Sequence, residues 1–106
     1  MANNKILGLI GLSAKAGKIC FGTESTIDNI IKRKVKLIII AKDASDRTKK
    51  NFYELCERYN INIIEFEDIY SLSKAIGKPN KAVIGIKDIN FVKEIEKIYN
   101  GGDVIG

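Results

Sequence analysis

The apolar positions of the chain change period several times, and each change marks the border of an element. From Asn3 to about Lys15, the residues Ile6, Leu7, Leu9, Ile10 and Leu12 form a broad stripe at helical spacing, which Gly17 is placed to stop. Lys18 to Phe21 reads as a short extended piece. A second helix follows, with Thr23 as its N-cap candidate, Glu24 in the first turn beside the positive dipole end, and Ile27, Ile30 and Ile31 as its core face. Leu37 to Ala41 is a continuous, largely β-branched run, the mark of a strand covered on both faces. Helices must therefore lie on both sides of it.

The alternation continues to the end. Ser45-Asp46 opens a helix in which Phe52, Leu55, Cys56 and Tyr59 keep the i, i+3, i+4, i+7 spacing, and Asn60 ends it. Ile61 to Phe66 is a strand. Asp68 caps a short helix carrying Ile69, Leu72, Ala75 and Ile76, closed by Gly77 and followed by Pro79; Ala82 to Ile86 is a second buried strand. Asp88 caps the last helix, with Phe91, Val92, Ile95 and Ile98 inward, and Asn100-Gly101-Gly102 releases a short tail. No linker, internal repeat or low-complexity segment interrupts the series. It predicts an α/β fold: a three-layer α/β/α sandwich over a four-stranded mixed sheet, with Leu37 to Ala41 and Ala82 to Ile86 central.

With 106 residues the chain is read as one domain, large enough to bury a core without disulfides or metals. A hydrophobic content of 45% with one Pro is globular, and the apolar runs are far too short for a membrane span. The N-terminal apolar stretch has no Ala-x-Ala site closing it, so no signal peptide is read, and the expectation is a cytoplasmic protein. The absence of His removes an imidazole base, Ser-His and Cys-His pairs, and histidine-ligated metals. Cys20 and Cys56 sit at apolar positions and fit reduced core thiols better than a bridge or a redox pair. The Gly22-Thr23-Glu24-Ser25 segment is not a Walker loop, and no Gly-x-Gly-x-x-Gly opens a helix after a strand. No catalytic residue, metal, cofactor or small-molecule substrate is expected.

Charge narrows the function classes further. Residues 1–42 carry Lys5, Lys15, Lys18, Lys32, Arg33, Lys34, Lys36 and Lys42 against Glu24 and Asp28, a net of +6, whereas the whole chain is +5. The excess lies wholly in the N-terminal part. Such asymmetry on a small domain points to a polyanion, most often a nucleic acid. The plainer alternative is solubility, and Lys32-Arg33-Lys34 at a helix C-terminus also complements the dipole.

The stretch Gly22 to Ala41, GTESTIDNIIKRKVKLIIIA, resembles the kink-turn RNA-binding family of ribosomal proteins of the L-seven-Ae and L-thirty-e type. Agreement continues through Lys42-Asp43-Ala44-Ser45, Leu55-Cys56-Glu57, Asn60-Ile61 and Leu72 to Lys78, and covers roughly residues 5–88. Leu7-Gly8-Leu9, Gly11-Leu12, Ala14 to Lys18 and the Gly77-Lys78 loop look most like the small bacterial YlxQ-like branch.

The resemblance implies an RNA site built from the start of the second helix and two adjoining loops. There a helix Asn donates to guanine in tandem sheared G·A pairs, a Glu orients its neighbours, and Lys residues hold phosphates. In this chain the Asn position holds Glu24, the Glu position Ser25 and the helix Lys position Asp28, while Cys20 and Phe21 stand where lysines often precede the glycine. A carboxylate cannot donate to guanine O6, although Glu24 can accept from a base amino group. The alternative for Glu24 is a first-turn acid that satisfies the dipole. The expected RNA-binding set is Gly22, Thr23, Glu24, Ser25 and Asp28, with Asp43 and Asn80 in the loops and a basic frame of Lys15, Lys18, Lys32, Lys36, Lys42, Lys78 and Lys81, several of which would ring one face on the family fold. For each lysine alone the alternative is ordinary solvated surface. The function expected is binding of structured, kink-turn-like RNA, ribosomal RNA among the candidates, by a monomer. The rival is a protein-interaction adaptor on the same fold, its RNA face eroded by Glu24 and Asp28; an enzyme is the weakest reading.

Overall fold

A computed structural model describes residues 2–101 of the chain. Its elements are α1 (Ala2–Lys15), β1 (Ile19–Phe21), α2 (Thr23–Ile31), β2 (Leu37–Ile40), α3 (Asp46–Tyr59), β3 (Asn62–Glu65), α4 (Ile69–Ile76), β4 (Val83–Ile86) and α5 (Ile89–Tyr99). The tail expected from Gly102 onward lies outside the described residues.

The four strands form one mixed sheet in the order β1-β4-β2-β3, parallel between β2 and β3 and antiparallel elsewhere. Both strands expected to be central are interior, and every residue of each is buried. Because successive side chains of a strand point to opposite faces, β2 feeds two cores. Leu37, Ile39 and Ala41 pack with Ile84, Ile86, Ile6, Ile10, Leu72 and Ile95 beneath α1, α4 and α5. Ile38 and Ile40 pack with Val83, Ile30, Phe52 and Cys56 beneath α2 and α3. The molecule is thus the three-layer sandwich the periodicities predict.

Capping chemistry accounts for most helix starts. Ser45 accepts from Thr48 N, Asp68 from Ser71 N, and Asp88 from Asn90 N and Phe91 N. Three local expectations need correction. The N-cap of α2 is Gly22, with φ 85°, and Thr23 is already inside the helix. Only glycine takes that backbone angle without strain, so the turn from β1 into α2 begins one residue earlier. Ile31 is 52% exposed, and the buried stripe of α2 is instead Thr26 and Ile30, one helical turn apart. The strands are also shorter than their apolar runs: Ala41 and Ala82 are joined by the hydrogen bond from Ala41 N to Ala82 O, 2.9 Å, but lie past the strand ends.

Both cysteines are buried free thiols, and burial pushes Cys56 up to about 11 and raises Cys20 as well. Neither is primed as a nucleophile. Cys20 has a packing role: a Cβ added at Gly85 would lie 2.7 Å from its Sγ and 3.3 Å from both Val35 methyls. Gly85→Ala is therefore expected to lower unfolding stability by about 1–3 kcal/mol, the usual range for overpacking a core. Part of that loss should return in a Cys20→Ala background, read from a double-mutant cycle in chemical denaturation. Strictly additive losses would mean that the thiol is not what excludes the methyl.

Candidate nucleic-acid interface

The sheet brings three chain segments to one end. Gly22 N donates to Val83 O at 3.1 Å and Ala41 N donates to Ala82 O at 2.9 Å, so the exits of β1 and β2 flank the entry to β4. Gly22, Lys42 and Lys81 are thereby neighbours across the sheet end. No side chain caps α2, and Thr23, Glu24 and Ser25 are all exposed on its first turn. The opening amides and the positive dipole end of α2 face outward, an arrangement suited to phosphate.

Phe21 organises the cations beside this helix start. Lys78 Nζ lies 5.8 Å and Lys81 Nζ 5.7 Å from its ring centroid. Attraction to the ring's π-system holds each ammonium near Phe21, which leaves two positive charges beside the helix start for an anion. The loop that carries them is pinned: Lys81 N donates to Ser73 Oγ at 2.7 Å, Ser73 Oγ donates to Lys81 O at 3.2 Å, and Asn80 adopts φ 53°. On the other side Asp43 accepts from Ile69 N at 2.8 Å and ties the β2–α3 turn to the start of α4. Between turn and loop runs an open groove of about 730 Å³, lined by Asp43, Tyr70, Lys74, Lys78, Pro79 and Asn80. Tyr70 is 73% exposed, with Lys74 Nζ 6.0 Å from its ring centroid.

Lys42 is held by its backbone, which leaves its ammonium for solvent or ligand. Its N–H donates to Glu67 O at 2.8 Å, and its carbonyl accepts from Lys49 Nζ at 2.6 Å. Lys49 also pairs with Glu65 at 3.2 Å, and Tyr53 donates its hydroxyl to Glu65 at 2.7 Å. These contacts hold the Glu65 carboxyl below the usual carboxylate range, the Tyr53 hydroxyl first and Lys49 second, while the same hydrogen bond pushes Tyr53 up to about 12.

The expected ring of residues divides. Gly22, Thr23, Glu24, Ser25, Lys42, Asp43, Lys78, Asn80 and Lys81 gather at the end just described. Asp28 is on the next turn of α2 and pairs with Lys32 at 3.0 Å, so its charge is answered within the helix. Lys15 lies to one side, in a shallow cleft with Lys74 and Gly77. Lys18 and Lys36 sit at the opposite end of the sheet, at the entries to β1 and β2, with Lys32 as the C-cap of α2. Three of the seven lysines, Lys42, Lys78 and Lys81, thus share one end, and the strand directions carry Lys18 and Lys36 to the other. Sequence reasoning also missed Phe21, Tyr70 and Lys74. The available signal for Phe21 was alternation with buried Cys20, which turns its ring to the other face of β1, but its two lysines come from a distant loop.

Among the described residues no group of His, Cys, Asp and Glu is placed to hold a metal, and no helix is long and apolar enough to cross a membrane. The fold is a mixed sheet between two helical layers that carries, at one end, a glycine-started helix and basic loops. The profile of the ribosomal protein L7Ae/L30e/S12e/Gadd45 family matches residues 4–96, and the chain belongs to that family. It is 37% identical over 97 residues to the RNA-binding protein YlxQ of Enterococcus faecium, covering 92% of this chain and 93% of that one. Against the RNA-binding protein YlxQ of Bacillus subtilis (strain 168) the identity is 29% over 87 residues, covering 82% and 87% of the two chains. A solved structure of a protein with unknown function from Bacillus halodurans C superposes with a TM-score of 0.87 at 32% identity, covering 91% of this chain and 97% of that one.

The Glu65 contacts set a pH dependence. A carboxyl held below its unfolded value stabilises the folded state above that unfolded value, about 4.3, and the contribution is lost as pH falls through the lower folded one. Glu65→Gln should thus lower the denaturation midpoint at pH 7 by an amount that stays constant down to about pH 5 and shrinks in more acid solution. A difference that persists unchanged into acid would show that the ionised carboxylate is not the stabilising species.

Proposed function

We propose that this chain is a single RNA-binding domain of 106 residues that recognises structured, kink-turn-like RNA, ribosomal RNA being the natural candidate, and that it works as a cytoplasmic monomer without cofactor or catalysis. One observation carries the reading: Lys78 and Lys81 share the Phe21 ring beside the uncapped, glycine-started N-terminus of α2. Phosphate there meets free amides, a dipole end and two cations at once. The names of the two YlxQ relatives, both RNA-binding proteins, support it. The groove with Tyr70 and Lys74 adds an exposed ring on which an unpaired base can stack, in the manner of proteins that read distorted or single-stranded RNA.

The experiment is a titration of the protein with a kink-turn RNA and with a plain duplex of equal length, each at two salt concentrations. Lys78→Gln with Lys81→Gln should weaken kink-turn binding and reduce the slope of log K against log salt by about 1.4–1.8, the loss of two phosphate contacts. An unchanged slope would move the RNA face elsewhere.

A second variant separates base reading from charge. Glu24→Asn, Ser25→Glu and Asp28→Lys together restore the family's residues and add two positive charges net. Charge alone would tighten both RNAs. A gain confined to the kink-turn, on the order of 1–3 kcal/mol for a good base contact, is the expected result. If neither RNA tightens, the protein-interaction adaptor becomes the better reading.

A further inference from the structure

The end of the sheet opposite the candidate interface carries a second concentration of positive charge. Lys87 N donates to Lys18 O at 2.8 Å and Lys36 N donates to Ile86 O at 2.8 Å, so three lysines stand side by side just beyond the ends of β1, β4 and β2 in that order. With neighbouring strands about 4.8 Å apart, their backbones lie within about 10 Å of one another. Arg33 and Lys34 join them from the turn after α2, where Arg33 has φ 59° and its guanidinium lies 5.2 Å from the Tyr59 ring centroid. Arg33, Lys36, Tyr59 and Asn60 line a small polar cleft of about 240 Å³.

Two acids in this part of the chain have partners of their own. Asp88 caps α5 and Asp28 pairs with Lys32. Among the described residues, no ion pair engages Lys18, Lys34, Lys36 or Lys87. Like charges placed side by side repel, a cost that an external polyanion bound across the row would relieve. The separation from the first face follows from strand length. Lys36 and Lys42 bracket β2 and are about 20 Å apart at 3.3 Å per residue, facing opposite ways along the sheet.

We propose that Lys18, Lys87 and Lys36, with Arg33 and Lys34, form a second, sequence-independent docking surface for the phosphate backbone of a separate RNA segment, so that one molecule holds two RNA segments at opposite ends of its sheet. The proposal extends the RNA-binding reading to a new face, and it stands apart from kink-turn recognition. Backbone contacts made by clustered lysines carry no sequence information but steer and anchor.

The test uses the full chain in the Lys78→Gln, Lys81→Gln background, which removes the first face, and a plain RNA duplex as probe. Residual duplex binding is expected there, and adding Lys18→Gln, Lys36→Gln and Lys87→Gln should weaken it strongly, with the log–log salt slope of what remains falling by about 2.7 for three phosphates. A control that neutralises exposed Lys50, Lys93 and Lys97 instead removes equal charge and should leave most of the binding. In the chain that retains Lys78 and Lys81, kink-turn RNA captured on a surface should bring down the protein and then a labelled duplex, and the triple far-end variant should capture without recruiting. Equal losses in the control, or undiminished recruitment by the triple variant, would overturn the proposal. So would preferential binding of polyglutamate at the same three lysines, which would assign the surface to an acidic protein. Failure of kink-turn capture alone would count against the first face, since the duplex titration does not depend on it.

Discussion

Everything in this molecule depends on the pairing of β2 with β4, two strands whose side chains are buried on both faces. A strand covered on both sides cannot exist without two helical layers, and the alternation of Leu37, Ile38, Ile39 and Ile40 sorts the helices into α1, α4 and α5 on one side and α2 and α3 on the other. Antiparallel pairing of β4 with both β1 and β2 then decides which loops meet. The exits of β1 and β2 join the entry to β4 at one end, which assembles Gly22, Lys42 and Lys81. Their opposite termini assemble Lys18, Lys36 and Lys87. Both charged ends are thus by-products of one buried ladder, and a change that slipped its register would disperse both.

What could be read from the chain was what depends on neighbours in sequence. The β-branched run at Leu37 and the caps Ser45, Asp68 and Asp88 are local chemistry, and each appears where the pattern puts it. Thr23 was a sound cap by residue type but lost to Gly22, because Gly22 N is already committed to Val83 O and the chain must turn there with positive φ. That commitment is tertiary and leaves no local trace. Ile31 fails for a different reason: Thr26 and Ile30 already fill the inward stripe, and the helix ends at Ile31, which stays half exposed. The site was half legible. Its backbone elements follow from the motif, whereas the grouping of lysines depends on strand order and direction, which no spacing in the chain encodes. Lys18 is four residues from Gly22 in sequence and at the other end of β1 in space.

The acids on α2 look at first like an argument against an anionic ligand, and their placement separates them. Asp28 is neutralised by Lys32 one turn on, so it contributes little field at the helix start. Glu24 is on the first turn, where a carboxylate gains about 0.3–1 kcal/mol from the dipole. Its stabilising role and its repulsion of phosphate share one cause, since it competes with a ligand for the same positive end. The competition is uneven. Glu24 offers one exposed, well-solvated charge, while two ammoniums are held against the Phe21 ring beside the amides of the same turn. A phosphate at that point meets a net positive environment, and the carboxylate beside it turns a position that donates in the family into one that accepts. Under the proposed RNA-binding reading, the change would therefore bear on which base edge the helix meets, and much less on whether a phosphate can sit there.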